Sequence, residues 1–89
     1  MARGENVIGR NKDLSKKEKK LYAFIGAKLT RLRKKKGYRN QEFFAYASGI
    51  PRAQYSRYEK GCNMNIDTLL RIIDFHKITF EQFFKGYKK

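Results

Sequence analysis

In the stretch RAQYSRYEKG, residues 52–61, Arg52, Arg57 and Lys60 offer long cationic donors, while Ala53 and Ser56 leave low ground between them. A guanidinium presents its N–H groups as a planar fork, the geometry that matches a pair of acceptors on a planar edge such as that of guanine. On a helix, at about 100° per residue, Tyr55 and Tyr58 share one side, and Arg52, Ala53, Ser56, Arg57 and Lys60 spread over the opposite one. Forked donors flanking small residues are what a helix needs to lie close to the acceptors in a groove. A basic helix face is also ordinary solvated surface, so these ten residues leave both uses open. The tyrosines are expected in the core, because large rings at helical spacing form packing surfaces and buried tyrosines still find partners for their hydroxyls. Stacking on unpaired bases is their alternative use.

Composition narrows the chemistry. The 89 residues suit one small domain with one core. Lys and Arg number 22 against 8 Asp and Glu, a formal charge of +14, and such an excess repels itself. A polyanionic partner is implied, with nucleic acid ahead of an acidic membrane or an acidic protein. Two lysine runs dominate: Lys16, Lys17, Lys19 and Lys20, then Lys34, Lys35 and Lys36.

Catalysis, by contrast, has little to work with. Cys62 is the only cysteine and His76 the only histidine, so no zinc set, internal disulfide or Cys/His relay is expected. Glu42, Glu59, Asp67, Asp74 and Glu81 form no pair spaced for acid/base work, and no glycine-rich phosphate loop occurs. We therefore expect no enzyme, no catalytic residue, no metal, no cofactor and no small-molecule ligand. His76 reads as the end of a helix, with a helix-end positive charge as its role. No apolar run is long enough for a signal peptide or a membrane span, so a cytoplasmic protein without membrane contact is expected.

The elements that would position the basic stretch are helices. Residues 1–20 carry glycines, mixed charge and few apolar groups, and read as a flexible basic arm that could track a phosphate backbone. From Leu21, the series Leu21, Ile25, Leu29 and Leu32 repeats at helical spacing, predicting a first helix that ends at Gly37. Asn40 is a plausible cap for a short second helix with Phe44 and Ala47 on one face and Phe43 beside them, stopped at Gly49. Pro51 opens a third helix, about 51–60, which Gly61 ends. Asn65 caps a fourth with Ile66, Leu69, Leu70 and Ile73 on one stripe. Thr79 and Gln82 have capping-box spacing for a short fifth helix, with Ile78 placed to staple onto Phe83. No segment alternates as a strand would, and residues 86–89 read as a frayed tail. The expectation is an all-α, compact five-helix domain over 21–85.

Two short helices joined through a glycine have the form of a helix-turn-helix, here about 40–61. The residues GYRNQEFFAYASGIPRAQYSRYEKG, followed by LLRIIDFHKITFEQFF, resemble the lambda-repressor-like, or XRE-type, helix-turn-helix regulators of bacteria and phages. The likeness rests on Gln41-Glu42 opening the second helix, Ala45 within it, Gly49 at the turn and Glu59-Lys60-Gly61 at the end of the third, and it spans about residues 21–84. The tyrosine-rich form, with its final FEQFF, looks like members from Bacteroidetes-type bacteria. Pro51 stands where the family commonly has a capping Ser or Thr, and Tyr55 and Tyr58 stand where it has aliphatic residues.

The resemblance implies a sequence-specific, double-stranded DNA-binding transcriptional regulator. Arg52, Ala53 and Arg57 match base-reading positions, with Ser56 beside them, and Gln41 matches a residue that grips a phosphate. Arg39, Asn40, Gln54, Lys60 and Asn63 are the further expected phosphate contacts. Arg33 and Glu59 match a pair that forms an internal salt bridge in some relatives. Relatives commonly occupy two half-sites as homodimers. An antitoxin-like or adaptor module with the same fold is the alternative, and structured-RNA binding a third reading, since fold alone does not fix function.

Overall fold

The computed structural model describes residues 12–62 and 64–87, with side chains from Ser15 onward. Among the described residues, five helices run in order: α1 (Lys12–Lys35), α2 (Gln41–Ser48), α3 (Arg52–Glu59), α4 (Ile66–Phe75) and α5 (Phe80–Phe83). Among the described residues there is no strand, and no helix is long and apolar enough to cross a membrane. The all-α, five-helix expectation holds.

α1 is longer than its apolar pattern predicts. It begins at Lys12, well before Leu21, so much of the expected arm is helix. Between Lys12 and Ile25 there is no glycine or proline, and Lys, Glu and Leu lose little rotamer freedom in a helix. Once Ile25 and Leu29 are packed, each further residue adds a hydrogen bond at small entropic cost, and the helix propagates backwards. A reading based on apolar content misses this propagation. Residues 1–11 of the expected arm lie outside the described residues.

The helix ends follow local chemistry. Asn40 Oδ1 accepts from Phe43 N at 2.9 Å, and Gly49 ends α2 at φ 77°, a left-handed conformation that costs glycine nothing. The turn therefore delivers the chain directly into Pro51 and α3. Thr79 and Gln82 form the complete capping box, with both reciprocal hydrogen bonds present. Asn65 occupies the N-cap of α4 without a side-chain bond; Asp67 Oδ1 instead accepts from Thr68 N at 2.8 Å.

The core gathers Ile25 and Leu29 of α1, Phe44 and Ala45 of α2, Ile50 of the α2–α3 turn, Tyr55 and Tyr58 of α3, Leu69, Ile72 and Ile73 of α4, and Phe83 of α5. Two expected faces are rotated. On α2, Phe44 and Ala45 turn inward, while Ala47 and Phe43 are exposed. On α4, the buried set is Leu69, Ile72 and Ile73, and Ile66 and Leu70 face solvent. Each helix is apolar over more than the arc its neighbours can cover, so packing selects which part is buried.

Two further differences concern the end of the chain. Tyr87, placed in the expected frayed tail, packs edge-on against Phe24 at 5.0 Å, beside the Phe24–Phe84 stack, tying the C-terminal residues to α1. His76 ends α4 as expected, but its ring lies against Phe44 at 5.3 Å and 12°, and its Nε2 is buried without a partner. Burial, then the neighbouring Lys36 charge, pushes its pKa down to about 4. The ring is therefore neutral near pH 7, and the expected helix-end charge is absent.

Candidate nucleic-acid interface

α3 is built around its two tyrosines. Tyr55 is 0% exposed and Tyr58 3% exposed; the Tyr55 ring lies 4.7 Å from that of Phe44, and its hydroxyl 3.5 Å from the Leu29 carbonyl. Burial, then the hydrogen bond with Glu59 and that residue's charge, pushes the Tyr55 phenol well up, so it stays protonated. With that side spent on the core, Arg52, Ala53, Arg57 and Lys60 are exposed, and Ser56 is half-buried at the edge of the same face. Gln54 is half-buried and donates to the Tyr58 hydroxyl, so one of its N–H groups already serves the helix itself.

Glu59 fixes the far end of α3. Its carboxylate accepts from Arg33 Nε at 2.7 Å, from Arg33 Nη2 at 3.3 Å and from Gln41 Nε2 at 2.8 Å, with Thr30 Oγ1 at 3.0 Å. Burial pushes this carboxyl up, but the Arg33, Tyr55, Gln41 and Thr30 donors outweigh it and hold the group below the ordinary carboxylate value. Arg33 is itself raised by Glu59 despite its burial. The same guanidinium donates through Nη1 to the Tyr38 and Arg39 carbonyls, both at 2.8 Å. One buried cluster thus joins α1, the α1–α2 turn, the start of α2 and the end of α3.

A second constraint comes from Gly26. A Cβ there would meet the Glu59 carbonyl at 2.6 Å and the Tyr58 carbonyl at 2.9 Å, so the backbones of α1 and α3 cross with no room for a side chain. Neither Gly26 nor Thr30 stands out in the apolar pattern of α1. A glycine inside a strong helical pattern is the signal that could have found the crossing; nothing in sequence marks Thr30.

The N-terminal ends of α2 and α3 converge. Arg39, Asn40, Gln41, Glu42 and Arg52 surround an open hollow of about 390 Å³, with Arg33 in its wall. Lys34, Gly37, Tyr38 and Arg39 line an adjoining hollow of about 300 Å³. Free backbone N–H groups and the positive ends of two helix dipoles add to the cationic side chains there, which suits an anion such as a phosphate. The structure brings together Arg39, Asn40, Gln41 and Arg52; Arg57 and Lys60 belong to the outer face and C-terminal end of α3. Gln41 differs from the expectation in one respect, since its side-chain amide is engaged with Glu59. Asn63 lies outside the described residues. Among the described residues no group of His, Cys, Asp and Glu is placed to hold a metal ion.

Two short helices joined by a left-handed glycine, the second clamped at its end and showing guanidinium groups outward, define a helix-turn-helix DNA-binding domain. The family model described as Helix-turn-helix matches residues 29–83, and the chain belongs to that family in its XRE-type, lambda-repressor-like form: it is a DNA-binding helix-turn-helix regulator. No curated protein and no solved structure matches it.

Proposed function

We propose that the protein is a sequence-specific regulator of transcription whose α3 enters the major groove of double-stranded DNA. Arg52 and Arg57 read base edges, Ala53 and Ser56 permit the close approach, and Arg39, Asn40, Gln41 and Lys60 hold phosphates on either side. Gln41 contributes through its backbone N–H at the start of α2 as well as through what remains of its amide. Arg33 and Glu59 are structural, setting the angle of α3 on α1. Gln54 and Asn63 complete the proposed phosphate contacts. A homodimer on two half-sites and a likeness to Bacteroidetes-type members are finer parts of the same proposal.

The observation that carries it is the division of α3, with both tyrosines at 3% exposure or less and Arg52, Ala53 and Arg57 open to solvent. Selection from a pool of random duplexes, followed by footprinting, tests it. Enrichment of one motif is expected. An unenriched pool favours the second reading, an antitoxin-like or adaptor module, which the exposed Phe43 and Tyr46 on α2 support at 63% and 91% exposure. Competition with a matched RNA duplex separates DNA from structured RNA.

A further inference from the structure

Besides the face of α3, the molecule carries a second basic surface. On α1, at about 100° per residue, Lys16, Lys19, Lys20, Arg31 and Lys34 fall along one side, with Lys17 and Lys35 at its margin, and all seven are exposed. Ala23 and Ala27 interrupt this stripe, and the half-buried Thr30 and Phe24 lie toward its two edges. Gly26, Ile25, Leu29 and Arg33 lie on other sides of the helix, where α3 and the core are packed. The middle of the stripe, Lys16, Lys20, Arg31 and Lys34, therefore points away from the core, while its Lys19 edge borders the Gly26 and Thr30 side that meets α3.

Its length and spacing are informative. From Lys16 to Lys35 it runs roughly 29 Å at 1.5 Å per residue. Lys16 and Lys20, Arg31 and Lys35, and Arg31 and Lys34 are like-charged neighbours one turn apart, and such pairs weaken a helix. A row of that length needs distributed negative charge to relieve its repulsion, and one small anion would neutralise only one end. Duplex DNA supplies one negative charge per roughly 1.7 Å of axis. A lipid surface is a poorer match, because the stripe shows no large apolar side chain to insert: Phe24, nearest its margin, is covered by Phe84 and Tyr87.

We propose that the outer stripe of α1, Lys16 to Lys35, is a second DNA contact that binds the phosphate backbone without regard to sequence, separate from the base-reading face of α3. It uses the family's DNA-binding character but does not require Arg52 and Arg57 to read bases. The chain would grip DNA over a longer span than α3 covers, or hold a second segment against it.

The test is duplex binding across a salt series by four proteins: the full chain, Lys16→Gln/Lys17→Gln/Lys19→Gln/Lys20→Gln, Arg52→Ala/Arg57→Ala, and the two sets combined. Glutamine is a good helix former, and circular dichroism checks that α1 persists. The four glutamines are expected to make the slope of log K against log salt shallower by about 2–4 while leaving the ranking of sequences unchanged. The Arg52/Arg57 variant is expected to lose that ranking yet keep salt-sensitive binding, and the combined variant to show that binding with the same shallower slope. Loss of ranking alone tests the base-reading proposal, so the two fail separately. An unchanged slope in both backgrounds overturns the stripe, as does a glutamine effect confined to vesicles of anionic phospholipid with duplex binding intact.

Discussion

Arg33 of α1 and Glu59 of α3 meet at 2.7 Å with their side chains only 6% and 4% exposed, which makes the pair that orients α3 a buried one. Taking two charges out of water is costly, and further hydrogen bonds offset that cost: the Tyr38 and Arg39 carbonyls for Arg33, Gln41 and Thr30 for Glu59. Breaking one member then leaves a desolvated charge with nothing to answer it.

Glu59→Gln, or Arg33→Met, is accordingly expected to destabilise the fold by about 3–5 kcal/mol, measured by urea unfolding. The double variant Arg33→Met/Glu59→Leu should lose less than either single change predicts, because no orphan charge remains. Single variants that lose no more than the double would show that breaking the pair leaves no uncompensated charge.

Stability should fall on acidification in two stages. His76 has its folded pKa pushed down to about 4 against an ordinary 6.5, so the unfolded chain takes up the proton first. Its contribution is complete above about pH 6.5 and is lost as pH falls toward 4. Glu59 has a folded pKa below its ordinary value, so its contribution persists above the unfolded carboxylate pKa and is lost only as pH drops through the folded one. Melting temperature against pH should therefore decline from near 6.5, and His76→Phe should flatten the upper stage while leaving the lower. An identical profile in the variant would rule out His76 as the cause.

Gly26→Ala improves intrinsic helix propensity by roughly 0.8–1.0 kcal/mol, so on an isolated helix it would stabilise. Here the added methyl meets the Glu59 carbonyl at 2.6 Å, a backbone atom that cannot swing aside. Overpacking of this kind costs about 1–3 kcal/mol. A net loss is expected by thermal or urea unfolding, with Ala27→Gly on the exposed side losing only about the propensity difference. A more stable Gly26→Ala protein would contradict the close crossing.

On the DNA itself, Arg52→Ala or Arg57→Ala should cost about 1–3 kcal/mol on a selected site and relax preference at the base pair each reads. Lys60→Ala should weaken all sequences about equally and reduce the salt slope by about 1. Binding curves on the selected site and on single-base variants separate the two behaviours. Equal losses on every sequence from all three changes would remove base reading from the arginines.

Much of this architecture is legible in the chain. Asn40, Gly49, Thr79 and Gln82 announce helix ends because caps act within three or four residues, and the structure forms those bonds. The inward turn of Tyr55 and Tyr58 is equally legible, since α3 has no other large apolar groups to offer the core. The faces of α2 and α4 are less legible. Phe43, Phe44, Ala45 and Ala47 on one helix, and Ile66, Leu69, Leu70, Ile72 and Ile73 on the other, are apolar around most of the wheel, so spacing alone does not decide which arc is covered.

By itself, the sequence determined the number of helices, where most of them stop, which side of α3 is spent on packing, and the sign of the charge presented outward. Those depend on neighbours along the chain. Only the tertiary structure decided that α1 and α3 cross at Gly26, that Gln41 serves Glu59, and that His76 is neutral rather than a helix-end cation. Each depends on groups far apart in sequence, because close approach, desolvation and a shared hydrogen bond are set by what folding brings within a few ångströms.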